Sequence, residues 1–357
     1  MIGRALAILI AAAFLFVGYQ GFRFLSAGPG RADEIVIFEL PGGKPFATVA
    51  QELEAKGLIL DPYRLRILAR LTGSDKRVKV GEYELNRAMT PQQIMSVLVS
   101  GRSIMYPVTF PEGSNIFEMA ALLESKGLYK AEEFLKAARD KDLIQKLLGI
   151  DVSSLEGYLF PETYNLTKFT PLSGFLALMV QNFKNAYTAI EGDVTAPVSL
   201  ARHERVILAS VVEKETGAPE ERPMIASVFY NRLQKNMRLQ SDPTIVYGIW
   251  VDSGSYKQNI TKADILAPTR YNTYTVARLP FGPIANPGRE SLAAVLKPAK
   301  SEFLYFVSRN DGTHIFSKTY EEHNKAVQSF QLNPSAREGR SWRDLKKRPP
   351  AAAAPGR

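Results

Sequence analysis

The chain of 357 residues contains no cysteine. That excludes a disulfide framework and any thiolate metal site. Histidine occurs only three times. His314 and His323 stand in nothing resembling a metal-ligand spacing, so hydrogen-bonding roles are expected for them and no metal or cofactor is called for. A concentrated basic surface is also missing, despite a net charge of +9. From Pro334 to Arg357 there are seven basic and two acidic residues, and Arg4 and Arg23 flank the N-terminal apolar run. The body from residue 25 to 333 keeps only +2. A polyphosphate partner needs its basic charge gathered on one face, so no nucleic acid is expected.

What is present is a globular composition, 45% hydrophobic and 23% charged, in a length that suits two or three domains. Ala5 to Phe22 is almost wholly apolar, interrupted late by Gln20. As a helix it spans roughly 27 Å, close to the ~30 Å hydrocarbon core of a bilayer. Arg4 places positive charge on the expected cytoplasmic side. A retained single-pass anchor is favoured over a cleavable signal peptide, because the run exceeds the ~7–15 residues of a signal-peptide core. The rival reading has the small-residue stretch Ser26-Ala27-Gly28 as a cleavage site. Either way the remainder is exported.

An internal repeat follows at an offset of 70 residues. Pro41, Gly43, Phe46, Val49, Ala50, Leu53, Glu54, Lys56, Gly57 and Leu58 match Pro111, Gly113, Ile116, Met119, Ala120, Leu123, Glu124, Lys126, Gly127 and Leu128. Each copy predicts a strand, a glycine turn, an amphipathic helix and a Gly-Leu stop. Val80 to Leu85 alternates as a strand does, and Thr90-Pro91 opens a helix that ends at Ser100-Gly101. This strand–helix–helix–strand material resembles a LysM-like module, a small glycan-binding fold; a packing or spacer domain fits the same pattern. The expected fold class is α+β. An N-terminal transmembrane helix (1–25) is followed by a LysM-like α/β module (34–105) and a mixed α+β catalytic domain (106–332). Residues 106–190 of that domain include the second repeat-like segment, and a disordered basic tail (333–357) ends the chain.

Leu200 to Thr216 predicts a helix, stopped by Gly217 and Pro219. Ile207, Leu208, Val211 and Val212 mark one buried face. At about 100° per residue Glu215 falls on that stripe, whereas Glu213 falls opposite and is expected in solvent. Burial disfavours a carboxylate and raises its pKa, which is what a general acid working near neutrality needs. A surface carboxylate at the helix end, or one paired with an arginine such as Arg232, fits the same pattern. A second helix is expected over Arg222 to Asn236, then a polar loop, Arg238-Leu-Gln-Ser-Asp-Pro-Thr244. Residues 268–288 have no secondary-structure period but carry Tyr271, Asn272, Tyr274 and Asn286. Aromatic rings and neutral hydrogen-bonding groups on a long loop suit a sugar; a packed connector is the plainer alternative. A hairpin is expected across Asn310-Asp311-Gly312, and Thr319-Tyr-Glu-Glu322 is a capping box for a last helix.

Six segments together resemble the endolytic murein transglycosylase (MltG/YceG-like) family. They are Ala209-Ser-Val-Val-Glu-Lys-Glu-Thr216, Ala226-Ser-Val-Phe-Tyr-Asn-Arg-Leu233, Arg238-Leu-Gln-Ser-Asp-Pro-Thr244, Tyr271-Asn-Thr-Tyr274, Ala285-Asn-Pro-Gly288 and His323-Asn324. The match runs in order from about Glu34 to Phe330. It departs at Arg278-Leu-Pro-Phe-Gly282, where the family usually has Gly-Leu-Pro-Pro-Gly. The resemblance implies an inner-membrane enzyme whose catalytic domain faces the periplasm, with peptidoglycan glycan strands as substrate and peptidoglycan synthases as candidate partners. It implies Glu215 as the catalytic residue, cutting between N-acetylmuramic acid (MurNAc) and N-acetylglucosamine (GlcNAc) to leave 1,6-anhydro ends and so limiting strand length. Gln240, Ser241, Asp242, Thr244, Tyr271, Asn272, Tyr274 and Asn286 are the expected substrate-binding residues. Two other classes stay open: a muramidase using Asp242 or Glu162 as a second carboxylate, and a non-catalytic wall-binding scaffold.

Overall fold

The computed structural model describes residues 2–192 and 194–332. The expected disordered tail, 333–357, lies outside the described residues. The chain divides into two compact units. One holds residues up to Val108 together with Tyr164–Pro171; the other holds Thr109–Thr163 and the chain from Leu172 onward.

The first unit opens with helix α1 (Ile2–Ser26). Its stretch Leu9–Ser26 is long and apolar enough to cross a membrane. Strands β1 (Ile35–Leu40) and β2 (Gly81–Asn86) pair antiparallel, from Ile35 opposite Asn86 to Leu40 opposite Gly81. Helices α2 (Phe46–Ala55) and α3 (Pro62–Leu71) lie between them in sequence, giving the expected strand–helix–helix–strand order. Helix α4 (Pro91–Ser100) follows, with Thr90 closing a complete capping box at its start. The core gathers Phe38, Leu40, Val49, Leu53, Leu65, Tyr83, Leu85, Ile94 and Leu98, and Phe24 from the end of α1 joins it. Glu82 is buried beside this core. It accepts hydrogen bonds from Tyr106 Oη at 2.5 Å and from Lys168 Nζ at 2.6 Å, and the second ties residues 164–171 into the unit.

Strands β3 (Tyr106–Thr109) and β4 (Thr163–Leu166) pair where the chain enters and leaves the second unit. That unit continues through α5 (Ile116–Ser125), α6 (Ala131–Ala137), α7 (Lys141–Leu148) and α8 (Leu172–Thr188). Gly113 precedes α5 at φ +75° as Gly43 precedes α2 at φ +78°, so the sequence repeat is also a repeat of left-handed turns. Then come α9 (Arg202–Glu215), α10 (Arg222–Gln234), α11 (Asp242–Ser253) and α12 (Lys262–Leu266). A stretch without helix or strand leads to α13 (Arg289–Leu296). The hairpin β5 (Tyr305–Ser308) and β6 (His314–Ser317) precedes α14 (Tyr320–Val327), capped by Thr319 as expected. The helices expected over 200–216 and 222–236 form within a residue or two of those bounds. The polar loop 238–244 is shorter than expected, because α11 starts at Asp242 with Ser241 at its N-cap and Pro243 in its first turn.

Candidate active site

Helix α9 packs against α10, α11 and α13. Enclosure by three helices buries every residue from 206 to 213, where one apolar stripe was expected. The solvated position predicted for Glu213 is therefore wrong. It is 8% exposed, forms an ion pair with Arg222 at 3.0 Å, and accepts the Gly288 backbone N–H at 2.9 Å. Arg222 also reaches Glu290 at 2.8 Å, so this buried pair ties α9 to the starts of α10 and α13.

Glu215, the last residue of α9, is part-buried at a cavity of about 360 Å³. Removal from water is the main reason its carboxyl is pushed up to about 7. The Asp242 charge adds to the rise, while Ser241 and Arg232 oppose it. Ser241 is buried beside the carboxyl, and its hydroxyl is not engaged in a well-formed hydrogen bond. A carboxyl of this kind is substantially protonated at neutral pH, so it can give up a proton and take one back.

The cavity wall comes from several elements. Arg232 is buried, with Nε donating to the Leu304 carbonyl at 2.7 Å and Nη1 to the Leu239 carbonyl at 2.6 Å. Two carbonyls thus fix a guanidinium at the cavity edge. Asp242 lines the same cavity, and Tyr274 Oη donates to its carboxylate at 2.7 Å. Burial and that carboxylate raise the Tyr274 phenol above its ordinary value. Gln240 also lines the cavity, at φ +50°, a left-handed conformation that a residue with a Cβ adopts only under constraint. The constraint is visible: Thr273 Oγ1 accepts the Ser241 N–H at 2.8 Å, and Thr244 Oγ1 donates to the Ser241 carbonyl at 2.6 Å.

The expected binding residues therefore fall into two groups. Gln240, Asp242 and Tyr274 share the cavity with Glu215. Ser241 and Thr244 lie beneath the turn. Asn272 is buried, its amide donating to the carbonyls of Ile265 and Ala267 at 2.9 and 2.7 Å. Asn286 is buried too. Its Oδ1 accepts from the N–H groups of Gly157 and Leu159, and its Nδ2 donates to buried Glu156. Tyr271 packs edge-on against Tyr247 at 5.0 Å. In this arrangement these three side chains brace the long loop. At the departure from the family pattern, Phe281 lies under the Arg270 guanidinium. Glu162 is exposed, accepts from Asn182, and lies outside the cavity lining.

Sequence reasoning missed the far wall, made by Tyr305, Tyr320 and His323 from β5 and α14. His323 stacks on Tyr305 at 5.2 Å, and burial lowers its pKa. The sequence offered the His323-Asn324 pair among the resemblance motifs and an expected hydrogen-bonding role for His323, yet its Nδ1 is buried without a hydrogen-bond partner. His314, by contrast, hydrogen-bonds through Nδ1 to Glu221 at 2.7 Å.

A near-neutral carboxyl beside a fixed arginine and a second carboxylate, on an α+β scaffold, has the make-up that proton transfer to and from a ligand needs. Residues 38–329 match the YceG-like family, and the chain belongs to it. The chain is 30% identical over 338 residues to a Bacillus subtilis protein named endolytic murein transglycosylase, covering 90% of this chain and 91% of that one. A protein of the same name from Streptococcus pneumoniae strain D39 is 28% identical over 349 residues, which are 87% of this chain but only 62% of the relative. A crystal structure of a YceG-like protein from Listeria monocytogenes superposes with a TM-score of 0.56 at 31% identity. It covers 82% of this chain and 99% of that one.

Proposed function

We propose that this chain is a membrane-anchored lytic transglycosylase that cuts peptidoglycan strands internally between MurNAc and GlcNAc. The observation that carries the reading is Glu215, held near neutrality at an open cavity in a chain whose relatives bear that enzyme's name. Protonated Glu215 gives its proton to the glycosidic oxygen as the bond from the muramyl anomeric carbon breaks. The muramyl 6-hydroxyl then attacks that carbon and returns its proton to Glu215. No water is consumed, and the new end is a 1,6-anhydro sugar. A hydrolytic glycosidase uses two carboxylates around the bond. Here a tethered nucleophile needs only one, because its encounter with the anomeric carbon is intramolecular. The fixed Arg232 guanidinium supplies positive charge that favours the ionised form of Glu215 after transfer.

The apolar run in α1 supports a single-pass inner-membrane anchor with the rest of the chain in the periplasm. Strand β1 to strand β2 serves as a LysM-like glycan-holding module. Peptidoglycan synthases supply the nascent strands whose length the cuts limit. Asp242 in the same cavity favours one second reading, a muramidase in which it activates water. Internal cleavage is tested by following the size of long uncrosslinked strands. Internal cuts lower the mean length early while disaccharides remain scarce; early release of disaccharides would contradict the reading.

A further inference from the structure

A second cavity of about 290 Å³ adjoins the first in the same unit, and Asp242 lines both. Lys214 lines the second cavity and Glu215 the first. Consecutive helical residues diverge by about 100°, so the last turn of α9 stands between the two. Three aromatic side chains, Tyr247, Trp250 and Tyr256, line the second cavity. Trp250 lies flat on Phe117, with ring centroids 5.0 Å apart and planes 13° from parallel. Tyr256 meets Trp250 edge-on at 5.1 Å and is 57% exposed. Gln258 adds an exposed amide, and Lys214 and Glu118 add charges of both signs. None of these groups has a part in the chemistry at Glu215.

Exposed aromatic surface ringed by hydrogen-bonding groups suits a ligand with apolar faces and polar edges, which describes a pyranose ring. A bare apolar floor would fit a protein helix as well. The amide and the charges, together with continuity through Asp242, favour more of the same strand. We propose that this cavity binds the saccharide units lying to one side of the bond that Glu215 cuts, so that the strand crosses Asp242 with sugars in both cavities. The proposal rests on the glycan-cleaving reading above and extends it: a strand held on both sides of the scissile bond is cut internally.

The test uses the full chain in detergent. Trp250 and Trp342 are the only tryptophans. In a Glu215→Gln, Trp342→Phe protein, Trp250 alone reports and turnover is removed. Titration with uncrosslinked glycan strands is expected to change its emission saturably. Adding Tyr256→Ala should weaken that binding about tenfold, the scale of one lost stacking contact, while Tyr256→Phe should restore it. In the otherwise wild-type enzyme, Tyr256→Ala should raise KM by a similar factor with kcat changed less than about twofold. Cleavage by the wild type with unchanged Trp250 emission and unchanged KM in Tyr256→Ala would overturn the subsite. Saturable Trp250 binding without any wild-type cleavage would support the subsite and overturn the reaction instead.

Discussion

Glu213 and Glu215 stand two residues apart on α9, and both are withdrawn from bulk water in different ways. Glu213 is closed into a 3.0 Å ion pair with Arg222, whereas Glu215 lines a cavity and burial pushes its carboxyl up to about 7. One is tied to Arg222 and Gly288 as a brace, and the other is kept able to exchange a proton.

Replacing Glu215 by Gln keeps the shape and removes the proton. Strand cleavage is expected to fall by at least ~10²-fold, the scale of lost general-acid catalysis, with the thermal midpoint no lower than that of the wild type. Cleavage at the wild-type rate by the folded variant would remove Glu215 from the mechanism.

The Glu213→Gln variant should lose stability first. Breaking one side of a buried ion pair leaves Arg222 with only its outer partners, at a cost of about 3 kcal/mol. Denaturant titration measures it directly. A change under ~0.5 kcal/mol would mean that the pair braces nothing, which is what a solvated Glu213 would give.

That contrast marks where sequence reading stops. Local signals were legible: the caps at Thr90 and Thr319, the left-handed glycines of the repeat, and Glu215 at the end of an apolar helix. These depend on neighbours within one turn. The burial of Glu213 depends on Arg222, Gly288 and three surrounding helices, and helical periodicity carries no record of them. Asn286 looks like a ligand group in sequence, yet its amide is engaged with Gly157 and Glu156 about 130 residues earlier. Tyr305 and His323 reach the cavity only because the terminal hairpin and α14 fold back towards α10.

Among the raised carboxyls, Glu215 and Glu156 shape the pH dependence most. Burial lifts Glu215 to about 7 and Glu156 to about 8, from an ordinary value of 4.5. Between those limits the folded chain keeps protons that the unfolded chain has lost. Their contribution to stability is therefore full below about 4.5 and is lost as pH rises through about 7 and then about 8. Glu215→Gln should flatten that decline in the melting temperature between pH about 4.5 and about 7, and Glu156→Gln should flatten it over the whole range up to about 8. A Glu215→Gln profile parallel to the wild type would contradict the assigned shift. On the alkaline side kcat/KM should fall with an apparent pKa near 7, since the acid must enter protonated.

Gln240 separates stability from function. Glycine accepts φ +50° without strain, so Gln240→Gly is expected to leave stability within about 1 kcal/mol of the wild type or raise it. The cavity would lose its amide, and KM for strands should rise several-fold. Unchanged KM would show that the strained turn serves only to seat α11.

The central claim is that the nucleophile belongs to the substrate, and the chemistry of the new chain ends tests it most directly. Uncrosslinked strands digested by the purified protein are treated with borohydride, and the new muramyl ends are weighed by mass spectrometry. The account predicts ends lighter than the hydrolytic product by one water and unchanged by borohydride. Ends that take up hydrogen would mean that water attacked, and a second carboxylate, Asp242 first among them, would have to activate it.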